Sequence, residues 1–185
     1  VDAAVAAQMV LNLVEPQSSG IGGGAFMLYW DAVARRLYAL HGRETAPVAA
    51  DADYFRDING IALKWRKARV GGRAVGVPGT LHLLHTAHDL FGVKSWADLL
   101  EPTITLATDG FPVSPRLAQS IVGAADGGLR QFSAARQYFF DPNGKPLKAG
   151  FILRNPAFAN ALRKIAQEGI EPFYQGPIAS RLVKA

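Results

Sequence analysis

The apolar and polar positions predict a helix-rich chain with a hairpin at its centre. Residues 2–14 are almost uniformly apolar and rich in alanine, and Asp2 is placed to cap them. This predicts a first helix that is buried on all sides. Aromatic and apolar residues fill positions 25–30 and return at positions 36–41 after a polar turn. These two runs predict antiparallel strands that end just before Arg43.

Further helices are predicted by apolar spacing and by cap residues. Leucine, alanine and phenylalanine fall near one face of residues 80–91. Ser95 caps a second helix, which runs through Ala107 and is closed by Gly110. Prolines and turn residues frame later helices at about residues 115–125 and 156–168, with a short one after Pro177.

These elements predict an α/β fold of the layered α+β type. Residues 51–76 have mixed charge and little periodicity, so they predict an irregular excursion with a short helix near residues 52–55. The chain has 185 residues, of which 49% are hydrophobic, so it can bury one core and we expect one domain over residues 1–185. Neither end carries a natural start or stop signal, which indicates an incomplete fragment.

The composition excludes several classes of chemistry. The chain has no cysteine, which removes disulfides, thiolate metal sites and a cysteine nucleophile. Its longest apolar run, residues 3–14, is shorter than the roughly 20 residues of a membrane helix, so no membrane span is expected.

The net charge of +5 and the basic run at residues 64–69 are compatible with a non-catalytic module that binds nucleic acid. The other bases are scattered among fifteen acids, so a solvated loop or a face for an acidic partner is preferred and no nucleic acid is expected.

Two motifs suggest a cofactor site or a metal site, but the neighbouring elements and residues do not support either site. Residues 20–25 match the glycine pattern of dinucleotide-binding loops, but such a loop follows a strand and opens a helix, and here the order is reversed. The glycines instead predict a close approach of the backbone to another segment, or torsions that side chains disfavour. His82, His85 and His88 have helical spacing, but only Asp89 lies nearby to complete a metal site. We therefore predict no cofactor and no metal.

Arg43 is the candidate for substrate binding. It follows a strand and a glycine, and its planar guanidinium can donate two parallel hydrogen bonds to a carboxylate. Glu44 is placed to pair with that guanidinium or with another base. From spacing alone, a structural ion pair is the commoner role of such an arginine. No serine lies in a G-x-S-x-G elbow and no phosphate-binding loop occurs, so no catalytic residue is assigned in this chain.

Several separate motifs occur in one order along the chain. They are DAAVAA at residues 2–7, the segment 15–27, GRETAP at 42–47, AVGVPG at 74–79, LATDGF at 106–111 and PFYQG at 172–176. In this order they resemble the large subunit of the γ-glutamyltransferases (γ-glutamyltranspeptidases), which are N-terminal-nucleophile hydrolases. The resemblance implies that the chain is an incomplete fragment of that subunit and forms part of an αββα sandwich.

The resemblance also implies roles for residues and partners. In the family a precursor cuts itself into two subunits, and the new terminal threonine of the small subunit is the nucleophile. Arg43 would then bind the α-carboxylate of the γ-glutamyl group of a glutathione-like donor, and the small subunit would be the partner of this chain. Acylases that remove glutaryl groups from cephalosporins belong to the same superfamily and are the alternative. A periplasmic or extracellular location follows from the resemblance, and the fragment alone is expected to be inactive.

Overall fold

A computed structural model describes residues 1–184. The elements follow one another in the order α1 Asp2–Val14, β1 Ala25–Asp31, β2 Arg36–Gly42, α2 Trp65–Arg69, α3 Thr80–Phe91, α4 Trp96–Asp109, β3 Phe111–Pro112, α5 Pro115–Ala125, α6 Ser133–Phe139, β4 Ile152–Leu153, α7 Pro156–Glu168, α8 Glu171–Tyr174 and α9 Pro177–Lys184. This mixture of helices with an antiparallel hairpin confirms the predicted fold class. The described residues form two compact units, residues 1–20 with 84–184, and residues 21–83. One domain over the whole chain stays a prediction.

The unit of residues 1–20 and 84–184 is helical, with α4 packed against both α1 and α7. Its core includes Val5, Met9, Leu100, Leu162 and Ile165, whose side chains are fully buried. These positions come from all three helices, so burial of apolar surface holds them together. No helix within residues 1–184 has the length and apolar content to cross a membrane.

Cap residues start the helices of this unit where the sequence predicts. The Ser95 hydroxyl accepts a hydrogen bond from the Asp98 N–H at 3.2 Å, at the start of α4. The side chain of Asn155 does the same for the Phe158 N–H at 3.0 Å, at the start of α7. Helix α4 ends before Gly110, whose φ of 102° lies in the left-handed region that glycine tolerates. The predicted helices at 80–91, 115–125 and 156–168 are confirmed.

The unit of residues 21–83 contains the predicted hairpin. Strands β1 and β2 pair antiparallel, with Ala25 opposite Gly42 and Asp31 opposite Arg36. The Asp31 carboxylate accepts hydrogen bonds from two backbone N–H groups of the turn at 2.9 Å, which closes the hairpin. Because Gly42 is the last paired residue, Arg43 is the first residue beyond the ladder.

The first helix differs from its prediction in two ways. Asp2 lies inside α1, and Val1 holds the cap position without a side-chain hydrogen bond. The Asp2 carboxylate instead accepts hydrogen bonds from the backbone N–H groups of Lys94 at 2.9 Å and Val93 at 3.1 Å. The bond from Lys94 is the main cause that lowers the pKa of Asp2 below its usual value. The side chain of Leu11 is 44% exposed, so α1 is buried on one face rather than on all sides.

The region after the hairpin also differs from its prediction. Residues 52–55 form turns instead of a short helix. The Asp51 carboxylate accepts a hydrogen bond from the Asp53 N–H at 3.0 Å, and an aspartate that bonds the chain two residues on favours a turn over a helix. The helices α2 and α6 and the β3–β4 pair were not predicted, because segments this short show no clear apolar period.

Candidate functional site

Two of the motifs, GRETAP and AVGVPG, meet beside Arg43. Thr45 pairs with Val77 in an antiparallel bridge, and the Val77 N–H donates to the Thr45 carbonyl at 2.8 Å. This bridge joins the GRETAP segment, residues 42–47, to the AVGVPG segment, residues 74–79. Arg43 therefore lies two residues from a backbone hydrogen bond on one side and next to the β1–β2 ladder on the other.

The third segment, the glycine loop before β1, joins them at the start of α3. The N–H groups of Gly79 and Thr80 both donate to the Gly23 carbonyl at 2.9 Å. The first N–H groups of a helix have no partner within the helix, so a carbonyl supplied by another segment satisfies them. Three of the six motifs, namely the glycine loop of segment 15–27, GRETAP and AVGVPG, are thus brought together within residues 21–83, and we call them the three glycine-containing segments.

Glycine is required where these segments touch. A Cβ added at Gly24 would lie 2.9 Å from the Cα of Arg43 and against the Glu44 carboxylate. A Cβ added at Gly79 would overlap the carbonyl of Gly42. Neither of these two glycines has a φ in the left-handed region, so close approach and not torsion is the reason for them. Close approach of the glycine loop to another segment, as predicted, is confirmed at Gly24.

The Arg43 side chain is exposed and carries an unpaired guanidinium. Among residues 1–184 it has no hydrogen bond, ion pair or ring contact. The structural ion pair that spacing alone would favour is therefore absent from the described part of the chain. Its backbone is held by the hairpin and by the Thr45–Val77 bridge, while all of its donors remain available to a ligand.

Glu44 packs by contact instead of by charge. The carboxyl carbon of Glu44 would lie 2.9 Å from a Cβ added at Gly24, and its own Cβ would lie 2.8 Å from a Cβ added at Gly76, so glycine at both positions makes room for this side chain. No ion pair joins Glu44 to Arg43 or to any other base within residues 1–184, so neither of the pairings that the sequence allows is formed there. Glycines in both neighbouring segments were the only sequence signal for this packing.

An arginine of this kind suits recognition of a carboxylate. The guanidinium is planar, stays charged at all ordinary pH values and presents donors in a fork that matches the two carboxylate oxygens. Because its backbone is fixed on both sides, little conformational freedom of the main chain is lost on binding. Arg43 is therefore a group that can bind an anion. Within the described residues, no carboxylate competes for it.

Two of the three histidines of α3, His85 and His88, make contacts within the helical unit. His85 Nδ1 lies 3.0 Å from the Asp89 carboxylate, and the His85 ring meets the Trp96 ring edge-on with centroids 5.0 Å apart. His88 Nε2 lies 2.8 Å from the Lys94 carbonyl. Within residues 1–184, no group of three or more His, Asp or Glu side chains is placed to hold a metal ion.

A cavity of about 580 Å³ lies among residues 136–154, within the helical unit. Its walls include Arg136, Tyr138, Phe140 and Arg154. Burial raises the pKa of Tyr138 above its usual value. None of the residues that line this cavity belongs to the three glycine-containing segments, so we place the candidate site at Arg43.

Comparison with known proteins bears on the family of this chain. The family model for gamma-glutamyltranspeptidase matches residues 1–185. A glutathione hydrolase proenzyme from Bacillus subtilis (strain 168) is 41% identical over 182 residues, which cover 98% of this chain and 30% of that protein. The crystal structure of Helicobacter pylori gamma-glutamyltranspeptidase is similar with a TM-score of 0.92 and 32% identity, over 99% of this chain and 52% of that chain.

A cephalosporin acylase from Bacillus halodurans has a similar structure, with a TM-score of 0.79 and 29% identity over 98% of this chain and 34% of that one. The chain spans about 30% of the length of the curated relatives it matches first. The match to the family model over the whole chain and the likeness to solved gamma-glutamyltranspeptidases agree with each other. This chain therefore belongs to the gamma-glutamyltranspeptidase family, whose fold is that of the N-terminal-nucleophile hydrolases.

Proposed function

We propose that the full-length protein transfers or hydrolyses the γ-glutamyl group of glutathione-like donors, and that Arg43 binds the α-carboxylate of that group. The observation that carries the proposal is the exposed guanidinium of Arg43, which has no partner among residues 1–184 and follows directly on β2. Its place in the GRETAP segment supports the same role. The similarity to a glutathione hydrolase proenzyme at 41% identity supports the substrate class.

The proposed reaction begins at the γ-amide of the donor. A threonine hydroxyl at the start of the small subunit attacks the γ-carbonyl carbon, and the bond from that carbon to the amide nitrogen breaks. The hydroxyl proton passes by way of the threonine's own amino group to the leaving amine. Water or an acceptor amine then attacks the γ-glutamyl ester and releases the threonine.

Arg43 has no part in these bond changes. Its role is to hold the carboxylate at the far end of the γ-glutamyl group, so that the γ-carbonyl lies in a fixed position. A planar guanidinium fixes both the distance and the orientation of a carboxylate, which a lysine ammonium cannot do. The catalytic partner is the small subunit of the same precursor, so the chain described here is expected to be inactive alone.

The second candidate function is the removal of glutaryl groups from cephalosporins. The structural likeness to a cephalosporin acylase favours it, at 29% identity. A glutaryl group carries the same distal carboxylate as a γ-glutamyl group but lacks the amino group beside it. Arg43 would serve either substrate, so the amino group is the feature that separates them.

The test is a comparison of two anilides with the full-length protein. We expect kcat/KM for the γ-glutamyl anilide to exceed that for the glutaryl anilide by about 100-fold or more, because a site built for an amino group discriminates against its absence. A preference for the glutaryl anilide would establish the acylase instead. If neither anilide is hydrolysed, both candidate functions are wrong.

The same proposal includes a periplasmic or extracellular location, which is supported only by the family. Cell fractionation with an antibody against the full-length protein tests it. We expect the protein outside the cytoplasmic membrane, and recovery from the cytosol alone would contradict the location without affecting the proposed chemistry.

A further inference from the structure

A short second hairpin lies between the GRETAP and AVGVPG motifs. Arg56 pairs with Ala62 in an antiparallel bridge, so residues 55–63 fold back on themselves. The Asp57 carboxylate closes the turn between them by accepting hydrogen bonds from two backbone N–H groups, at 2.9 and 3.0 Å. We call residues 55–63 the tip hairpin.

The tip hairpin exposes large apolar side chains. Ile58, in the turn, is fully exposed, while Ile61 is 65% exposed and Phe55 is 45% exposed. Removing side chains of this kind from water is favourable, and a group of them at a surface marks a place where the chain contacts an apolar phase or a partner.

Cations follow the tip hairpin directly. Residues 64–73, which we call the basic segment, contain five Lys and Arg residues and no Asp or Glu. All five side chains are exposed, namely Lys64, Arg66, Lys67, Arg69 and Arg73. Over residues 51–73 the chain has six bases and three acids, and one of these acids, Asp53, pairs with Arg56 at 3.0 Å. This stretch therefore carries a net positive charge.

An exposed tryptophan lies among these cations. Trp65 is the first residue of α2 and is 75% exposed. The guanidinium of Arg69, one helical turn later, lies over its ring at 5.9 Å from the centroid. An indole has an apolar body and a polar N–H, and such rings are enriched where a membrane meets water.

A long-range contact joins the basic segment to the tip hairpin. The Arg73 guanidinium donates to the Tyr54 carbonyl at 2.9 Å and lies 5.7 Å from the centroid of the Tyr54 ring. Lys64, at the other end of the segment, follows the last residue of the tip hairpin. Four residues separate Ile61 from Trp65, so their Cα atoms are at most about 14 Å apart. The apolar and the basic groups are therefore close enough to contact the same partner.

We infer that the tip hairpin and the basic segment bind the surface of an anionic phospholipid bilayer. The cations contact the phosphate groups, Trp65 lies at the level of the headgroups, and Ile58 enters the boundary of the acyl chains. The apolar tip favours a bilayer over a nucleic acid, because a nucleic acid offers phosphates and base rings but no aliphatic phase. This inference goes beyond the function proposed above and does not depend on it.

The test is co-sedimentation of the full-length protein with vesicles. The vesicles consist of phosphatidylcholine alone, or of phosphatidylcholine with about one third phosphatidylglycerol. At about 50 mM salt we expect the anionic vesicles to bind at least about tenfold more tightly, and at about 500 mM salt this binding should fall by at least about tenfold. Equal binding to both vesicles would overturn the inference. So would no binding to either, and binding of an oligomer of about eight deoxythymidines instead would identify a nucleic-acid surface.

Charge variants locate the binding on the chain. A cation near an anionic bilayer contributes about fivefold to the partition coefficient, so removing three should weaken binding by at least about tenfold. The variant is Lys64→Gln, Lys67→Gln and Arg69→Gln. A matched control removes three exposed cations of the helical unit and should bind like the unchanged protein. It consists of Lys145→Gln, Lys148→Gln and Arg154→Gln. Equal binding of the two triple variants would contradict the assignment to the basic segment.

Two single variants test insertion of the tip. Ile58→Ser should weaken binding to anionic vesicles by at least about threefold, because it removes the side chain that enters the acyl boundary. Val33→Ser, at a 97% exposed position in the β1–β2 turn, is the matched control and should bind like the unchanged protein. Lipids brominated near the headgroup should quench tryptophan fluorescence, and Trp65→Phe should abolish this quenching. If Ile58→Ser binds as tightly as Val33→Ser, the tip does not enter the bilayer and the inference is wrong.

Two controls separate this inference from misfolding and from the proposed function. The substituted side chains are exposed, so every variant should keep the urea midpoint of the unchanged protein. Without vesicles, each should also hydrolyse a γ-glutamyl anilide within about twofold of the unchanged rate. If the unchanged protein binds anionic vesicles but hydrolyses no anilide, the proposed function fails and this inference stands. Anilide hydrolysis without vesicle binding gives the opposite result.

Discussion

Gly79→Ala places a methyl group against the Gly42 carbonyl, and it should push apart two of the segments that hold Arg43. The added Cβ would lie 2.6 Å from the carbonyl carbon of Gly42 and 3.1 Å from the carbonyl oxygen of Arg43. Ordinary contacts begin at 3.4 Å, and both of these neighbours are backbone atoms that cannot rotate away. The strain must therefore be relieved by movement of the main chain.

The cost follows from two effects of that movement. Forcing an extra carbon into a filled space costs about 1–3 kcal/mol. The hydrogen bonds from Gly79 and Thr80 to Gly23 are stretched at the same time, and their weakening removes about 1 kcal/mol in total, since each contributes about 1 kcal/mol when fully formed. We expect the free energy of unfolding to fall by about 2–4 kcal/mol in Gly79→Ala.

The assay is urea unfolding of the full-length protein, together with kcat/KM for a γ-glutamyl anilide. Gly22→Ala is the matched control, because a Cβ at Gly22 has no atom within 4 Å and its φ is not left-handed. The control should change the free energy of unfolding by less than about 1 kcal/mol. If Gly79→Ala matches the control in both measurements, close approach at Gly79 does not position Arg43.

Two further predictions concern the helical unit. Leu162→Ala removes a fully buried side chain of α7 and should lower the free energy of unfolding by about 2–5 kcal/mol in urea, whereas Val93→Ala, at a 93% exposed position, should change it by less than about 0.5 kcal/mol. Asp2 has a lowered pKa when folded, so its contribution to stability is present above the unfolded value of 3.8 and is lost as pH falls through the folded value. Asp2→Ala should therefore be less stable than the unchanged protein at pH 6, and the difference should shrink below pH 3.8; a difference that grows on acidification contradicts this account.

Local signals in the sequence predicted the elements that carry the site. Aromatic and apolar content and turn residues predicted the hairpin, and serine, proline and asparagine predicted the helix starts, because each of these signals acts within a few residues. The helix predicted at residues 52–55 was wrong, because the carboxylate of Asp51 accepts a hydrogen bond from the backbone and favours a turn. The short helix α2 has no apolar period, so the segment with the largest excess of charge was predicted as irregular chain.

The site itself depends on contacts between distant segments. The sequence showed glycines in each of the three motifs, but not that Gly79 faces Gly42 or that Gly24 faces Arg43. It also could not show that Glu44 packs against glycines and leaves the guanidinium of Arg43 unpaired. Such pairings are set by tertiary packing. The sequence identifies Arg43 as a candidate for binding a carboxylate, but only the structure shows that its guanidinium is available to a ligand.

The central claim is that Arg43 binds the α-carboxylate of the donor, and one comparison tests it directly. Arg43→Ala and the unchanged full-length protein are assayed with a γ-glutamyl anilide and with a 4-aminobutyryl anilide, which lacks only the carboxylate. We expect Arg43→Ala to cost about 2–5 kcal/mol on the γ-glutamyl anilide, a loss in kcat/KM of about 30-fold to several thousand-fold. On the 4-aminobutyryl anilide we expect a change of less than about threefold, because the carboxylate is already absent. An equal loss on both substrates would contradict the claim.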